Sequence, residues 1–127
     1  MKINSNKYVD GFVIPIKKKD LAKYKKMAEW GAKMWMKNGA LEYFECVGDD
    51  LPVKNEMGTQ KGFVKLAGLK PDEIVIFSWI VYKSKAHRDQ VNKKVMNDPS
   101  MKDFDPKDMP VDMKRFAHGG FKTLIEA

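Results

Sequence analysis

Ile74-Val75-Ile76-Phe77-Ser78-Trp79-Ile80-Val81-Tyr82 is the most apolar run in the chain. It is too short for a buried helix and rich in β-branched and aromatic residues, so it reads as a central strand. A second such segment, Tyr8 to Ile16, closes on Pro15 and the lysines Lys17, Lys18 and Lys19 and reads as the first strand. Asp20 then offers an N-cap. Behind it Tyr24, Met27, Ala28, Gly31, Met34 and Trp35 recur at helical spacing, with lysines at most other positions. This predicts an amphipathic helix that ends at Asn38 and Gly39. Leu41 to Val47 reads as the second strand, stopped by Gly48, Asp49, Asp50 and Pro52. The long connection that follows is expected to hold a short helix within Thr59 to Leu69. Beyond the central strand, Ser84 caps a helix over Lys85 to Asn97 that presents His87, Val91 and Val95 on one face. Asp98 and Pro99 stop it. A connection rich in Pro, Asp and Met leads to a last strand, Arg115 to Ile125.

The order strand, helix, strand, strand, helix, strand is the split βαβ pattern of an α+β, ferredoxin-like antiparallel sheet with helices on one face. Such a sheet with a solvated second face alternates apolar and polar residues. Here it does not. Tyr8, Phe12 and Ile14 oppose Val9 and Val13, while Val75, Phe77, Trp79 and Val81 oppose Ile74, Ile76 and Ile80. Both faces are apolar, so the second needs a cover from outside the chain. A two-fold copy of the same sheet is the simplest one, and a homodimer is therefore expected.

With 127 residues, 43% hydrophobic and 32% charged, the composition is that of one globular domain over residues 1–127. Met1 to Lys7 lacks the apolar centre of a signal peptide, and no stretch reaches the roughly 20 apolar residues that span a bilayer. Cys46, the single cysteine, allows no intrachain disulfide. A cytoplasmic protein with no membrane partner is expected. The net charge of +7 comes almost entirely from lysine, since Arg88 and Arg115 are the only arginines. Scattered lysines keep a surface hydrated, whereas phosphate and base recognition prefers arginine, so nucleic acid is not an expected partner. Lys61-Gly62-Phe63-Val64-Lys65 begins like an RNA-recognition signature, but Val64 and Lys65 depart from it, and the segment lies in a connection.

Tyr8-Val9-Asp10-Gly11-Phe12, Glu45-Cys46, Phe77-Ser78-Trp79, Arg88-Asp89, Asp98-Pro99, Met109-Pro110, Lys114-Arg115 and Gly119-Gly120-Phe121 together resemble the bacterial YbaA-type family, a domain of unknown function. The similarity runs over most of the chain. It implies a dimeric α/β barrel, in which two ferredoxin-like sheets pack face to face. The wider superfamily of that architecture includes cofactor-free monooxygenases, haem-degrading enzymes, isomerases and ligand-sensing domains, and supplies no reaction by itself.

A small-molecule pocket between sheet and helices is expected in each subunit, with Asp10, Trp79, Arg115 and His118 as candidate lining residues. Asp10 interrupts an apolar strand and needs a cation, a donor or water. Pairing of the first and last strands about their centres sets it near Lys122. Arg115 has the chemistry to hold an anion, or to pair with Asp112 or an acid of the dimer mate. His118 shares a strand side with Phe116 and is suited to proton transfer or ligand binding, while His87 opens a helix. Trp79, Trp30 and Trp35 are suited to line a pocket for a planar ligand, though such spacing also builds plain core. Cys46 has no neighbouring base and reads as an inert thiol. Two isolated histidines do not make a metal site, and no cofactor is expected. The residues leave open whether the site catalyses a reaction; if it does, superfamily analogy points to a cofactor-free oxidation or isomerisation of a small aromatic or carbonyl compound. The alternative is a non-enzymatic dimer that senses a metabolite or docks on a protein.

Overall fold

The computed structural model describes residues 1–52 and 62–127. A two-residue strand β1 (Lys2–Ile3) precedes β2 (Tyr8–Lys17), and a 3-10 turn leads into helix α1 (Leu21–Lys37). Strand β3 (Glu42–Val47), a one-turn helix α2 (Phe63–Leu66), strand β4 (Glu73–Tyr82) and helix α3 (Lys85–Met96) follow. After three 3-10 turns the chain closes with β5 (Ala117–Lys122) and β6 (Ile125–Glu126). The main sheet has the order β3-β4-β2-β5, with every neighbouring pair antiparallel. This is the ferredoxin-like α+β arrangement. The apolar run at 74–82 is an interior strand, paired along its length with β2.

Local chemistry accounts for most boundaries. The Ser84 hydroxyl accepts the His87 backbone N–H at 3.1 Å, satisfying a donor that α3 leaves open. Gly39, at φ 114, takes the backbone turn after α1, and Asn38 closes the helix by donating its side-chain amide to the Met34 carbonyl at 2.8 Å. Asp20 stands at the N-cap of α1 without a side-chain capping bond, because the preceding turn already bends the chain into the helix. In the connection after α3, Asp98, Asp105 and Asp112 each accept a backbone N–H two residues on and start the three 3-10 turns.

Two expectations are corrected here. The last strand does not begin at Arg115, which belongs to the turn Met113–Arg115. Nor does it run through to Ile125, because the strand ends at Lys122 and β6 leaves the main sheet to pair with β1. The short helix expected within Thr59 to Leu69 is α2, while residues 59–61 lie outside the described part.

The pleat gives the sheet two unlike faces. Ile14, Ile16, Ile76, Ser78, Ile80 and Tyr82 point at α1 and α3 and are buried there with Tyr24, Ala28, Met34, Val91 and Val95. The opposite face carries Val9, Val13, Phe44, Phe77, Trp79 and Phe121, and Phe44, Phe77 and Phe121 are 47%, 45% and 61% exposed. Among the described residues no helix is long and apolar enough to cross a membrane.

Candidate functional site

Strand alternation puts Tyr43 and Glu45 of β3 on the helix-covered face, while Phe44 and Cys46 point the other way. Glu45 lies opposite Ser78 of β4, and Ser78 lies opposite Phe12 of β2. The carboxylate accepts two phenolic hydroxyls, that of Tyr24 on α1 at 2.7 Å and that of Tyr43 at 2.9 Å, one on each oxygen. Burial pushes the Glu45 carboxyl above the ordinary carboxylate range, and the hydroxyls of Tyr24, Tyr43 and Ser78 pull it only part of the way back. Burial and the neighbouring carboxylate both push the Tyr24 and Tyr43 phenols upward, so they remain donors.

This cluster forms one wall of a cavity of about 200 Å³ between the sheet and α1. The other walls are apolar or aromatic. Phe12, Ile14 and Ile80 form its floor, Ala28 and Gly31 of α1 its roof, and Met101, Phe104, Met109 and Phe116 of the late connection close one side. Trp30 and Phe104 stack at 5.3 Å between ring centres, fastening that connection to α1. Trp35 also lines the cavity, and its indole N–H is held by the Asn92 side chain at 3.0 Å. A carboxyl with a raised pKa in an apolar hollow is equipped to take up and release a proton.

A family model described as "Protein of unknown function (DUF1428)" matches residues 7–113. The chain is also 43% identical over 122 residues to the uncharacterized protein YbaA of Escherichia coli (strain K12), across 94% of this chain and 98% of that protein. YbaA of Shigella flexneri matches to the same extent. The chain belongs to the DUF1428 family. The cavity therefore lies within the part of this DUF1428 chain that the family model covers, apart from Phe116.

Asp10, Trp79, Arg115 and His118 are not brought together in this DUF1428 chain, and none of them lines the cavity. Asp10 does not pair with Lys122. The β2–β5 register sets Gly120 opposite Asp10 and Lys122 opposite Tyr8, so the buried carboxylate turns to Arg88 of α3, at 2.7 Å. That guanidinium also lies over the Tyr8 ring, 4.9 Å from its centre, and holds Asp89 at 2.7 Å. Trp79 sits on the open sheet face, stacked on Phe44 at 4.9 Å, since its odd register carries it away from the helices. Arg115 is committed within the chain, neither to Asp112 nor to an external anion. It grips Glu73 through two bonds of 2.6 and 2.7 Å and donates to the Gly68 carbonyl at 2.8 Å. His118 is on the helix side but exposed, stacked on Phe12 at 5.9 Å, one side chain removed from the cavity.

Of the other sequence candidates, Trp30 and Trp35 do line the cavity, and Cys46 lies half-buried on the far side of the sheet. His87 accepts the Lys83 backbone N–H at 2.9 Å, and burial lowers its pKa. Among the described residues no group of three or more His, Cys, Asp or Glu side chains could hold a metal ion. Sequence reasoning missed Glu45 because a charged residue in a short strand reads as facing solvent. The available signal was its shared parity with Tyr43, which sets the two on one face.

Proposed function

We propose that this DUF1428 member is a homodimer whose subunits each bind a small, largely apolar molecule in the sheet–helix cavity and move a proton on it through Glu45. The observation that carries the reading is the Glu45 carboxyl, held by two tyrosine hydroxyls and pushed up in pKa by burial, facing an otherwise apolar hollow. The reaction this favours is isomerisation by proton relocation. The carboxylate takes a proton from a carbon beside a carbonyl, leaving an enolate, and returns it to the enolate oxygen or to another carbon. Atoms and charge balance with no oxidant and no cofactor. Tyr24 and Tyr43 keep the carboxyl group aimed and stabilise its charged form before the proton is taken and after it is returned.

The homodimer reading rests on the open sheet face. Phe44, Phe77, Trp79 and Phe121 form an aromatic surface there, and covering the exposed half of each phenylalanine is worth roughly 0.8–1.5 kcal/mol. A second copy offers the complementary surface by symmetry.

The test is deuterium uptake at the α-carbon of cyclohexanone in D2O, followed by proton NMR with the intact protein. The expected result is exchange faster than in buffer, lost in Glu45→Gln. Cyclohexanone that perturbs the amide resonances of the lining residues but exchanges only at the buffer rate would favour the non-enzymatic, metabolite-sensing dimer instead.

A further inference from the structure

We infer that the ligand of this cavity is an uncharged, single-ring compound carrying a hydroxyl, a phenol or an enol; this rests on the cavity reading above and goes beyond it to the ligand's charge and donor chemistry. Three observations lead there. The first is size. An apolar cavity of about 150 Å³ accommodates benzene, so about 200 Å³ takes one substituted ring and little more. Trp30, Phe104, Phe116 and Phe12 supply aromatic walls for its faces and edges.

The second is charge. No Lys, Arg or His lines the cavity among the described residues, and Glu45 is its one carboxyl group. A carboxylate or phosphate ligand would have to shed water without gaining a cation, and would then face like charge. An ammonium would gain one carboxylate but bury its remaining donors against apolar side chains. The uncharged ligand avoids both penalties.

The third is the direction of the hydrogen bonds. The Tyr24 and Tyr43 hydroxyl protons both go to Glu45, one to each oxygen, and Ser78 lies opposite Glu45 on β4. What remains at this wall is acceptor capacity, because each carboxylate oxygen has a second lone-pair direction and each phenol oxygen can accept. A ligand that donates one proton is complementary to that wall, whereas a ligand that only accepts must first break a tyrosine bond. A ring hydroxyl meets the requirement. It also places an acidic proton against the proposed base, so that an enol can pass its O–H proton to Glu45 while becoming the enolate of its ketone.

The experiment compares p-cresol, toluene and 4-methylbenzoate, which share a methylated ring and differ in carrying O–H, hydrogen or carboxylate. Each is titrated into the isotopically labelled full-length protein, and the amide resonances of the lining residues are followed. The expected result is p-cresol binding about tenfold or more tighter than toluene, with 4-methylbenzoate weakest. In Glu45→Gln the advantage of p-cresol over toluene should shrink and the discrimination against 4-methylbenzoate should relax. Toluene binding as tightly as p-cresol would overturn the inference while leaving the cavity reading intact, as would preferred binding of 4-methylbenzoate. Failure of all three to perturb lining resonances would overturn both. The comparison of the three compounds on the unmodified protein decides the matter even if the variant does not fold.

Discussion

The Tyr43 hydroxyl occupies the space a side chain at Gly31 would need: a Cβ at position 31 would fall 2.7 Å from that oxygen. Gly31 sits inside α1, where glycine costs about 1 kcal/mol relative to alanine, so helix propensity alone argues against it. Its presence lets the helix close down on the hydroxyl that holds Glu45. Gly31→Ala is expected to destabilise the protein by about 1–2 kcal/mol by pushing Tyr43 off the carboxylate. In a Tyr43→Phe background the hydroxyl is gone, and the same change should become neutral or stabilising by up to about 1 kcal/mol. Urea denaturation of the four proteins measures the cycle, and simple additivity would refute the packing account.

Arg88 supplies the cation that Asp10 needs, so removing it leaves a buried carboxylate alone. Arg88→Ala should cost about 2–3 kcal/mol, less than at a fully buried pair because the arginine side chain keeps 20% of its exposure. Lys122→Ala should change stability by less than about 0.5 kcal/mol. Thermal melts of the two variants separate these outcomes. Equal losses would reinstate a cross-strand partner for Asp10.

Stability should respond to pH with opposite signs on its two sides. Arg115 beside Glu73, and the Ser100 backbone N–H with Lys37 beside Asp98, hold those carboxyls down at about 2. Their stabilisation is complete above the ordinary carboxylate range and is lost as pH falls from there toward about 2. Glu45 is raised instead, so its contribution is greatest when protonated and is lost as pH rises through its folded pKa. Urea midpoints followed from acid to neutral pH are expected to flatten on the acid side in Glu73→Gln and Asp98→Asn. They should flatten on the neutral side in Glu45→Gln. An unchanged neutral limb in Glu45→Gln would mean that burial does not raise this carboxyl.

On the open sheet face, charge should be incompatible with association. Phe77→Glu combined with Phe121→Glu is expected to give a folded monomer, and the unmodified protein is expected to sediment as a dimer. Circular dichroism checks the fold in parallel. A monomeric unmodified protein, or a doubly substituted dimer, would remove the aromatic face from the interface.

Period-two and period-3.6 patterns along the chain determined, by themselves, the four main strands, the two long helices, their order and the apolarity of both sheet faces. These are local quantities: a residue's parity in a strand or its phase on a helix is set by its chain neighbours. Motifs spread over most of the chain likewise carried the family. Which side chains meet was decided only by the tertiary structure, since partnership depends on strand register and on helix placement over the sheet. A shift in the assumed pairing of β2 and β5 moved Lys122 away from Asp10, and helix α3, distant in sequence, brought Arg88 in its place. The Glu45 cluster needed α1 docked on β3 with Gly31 beneath the Tyr43 hydroxyl, a contact no local pattern encodes. The sequence alone marks polar residues that interrupt apolar segments. Packing decides whether each becomes a paired structural charge, as Asp10 did, or a carboxyl facing a cavity, as Glu45 did.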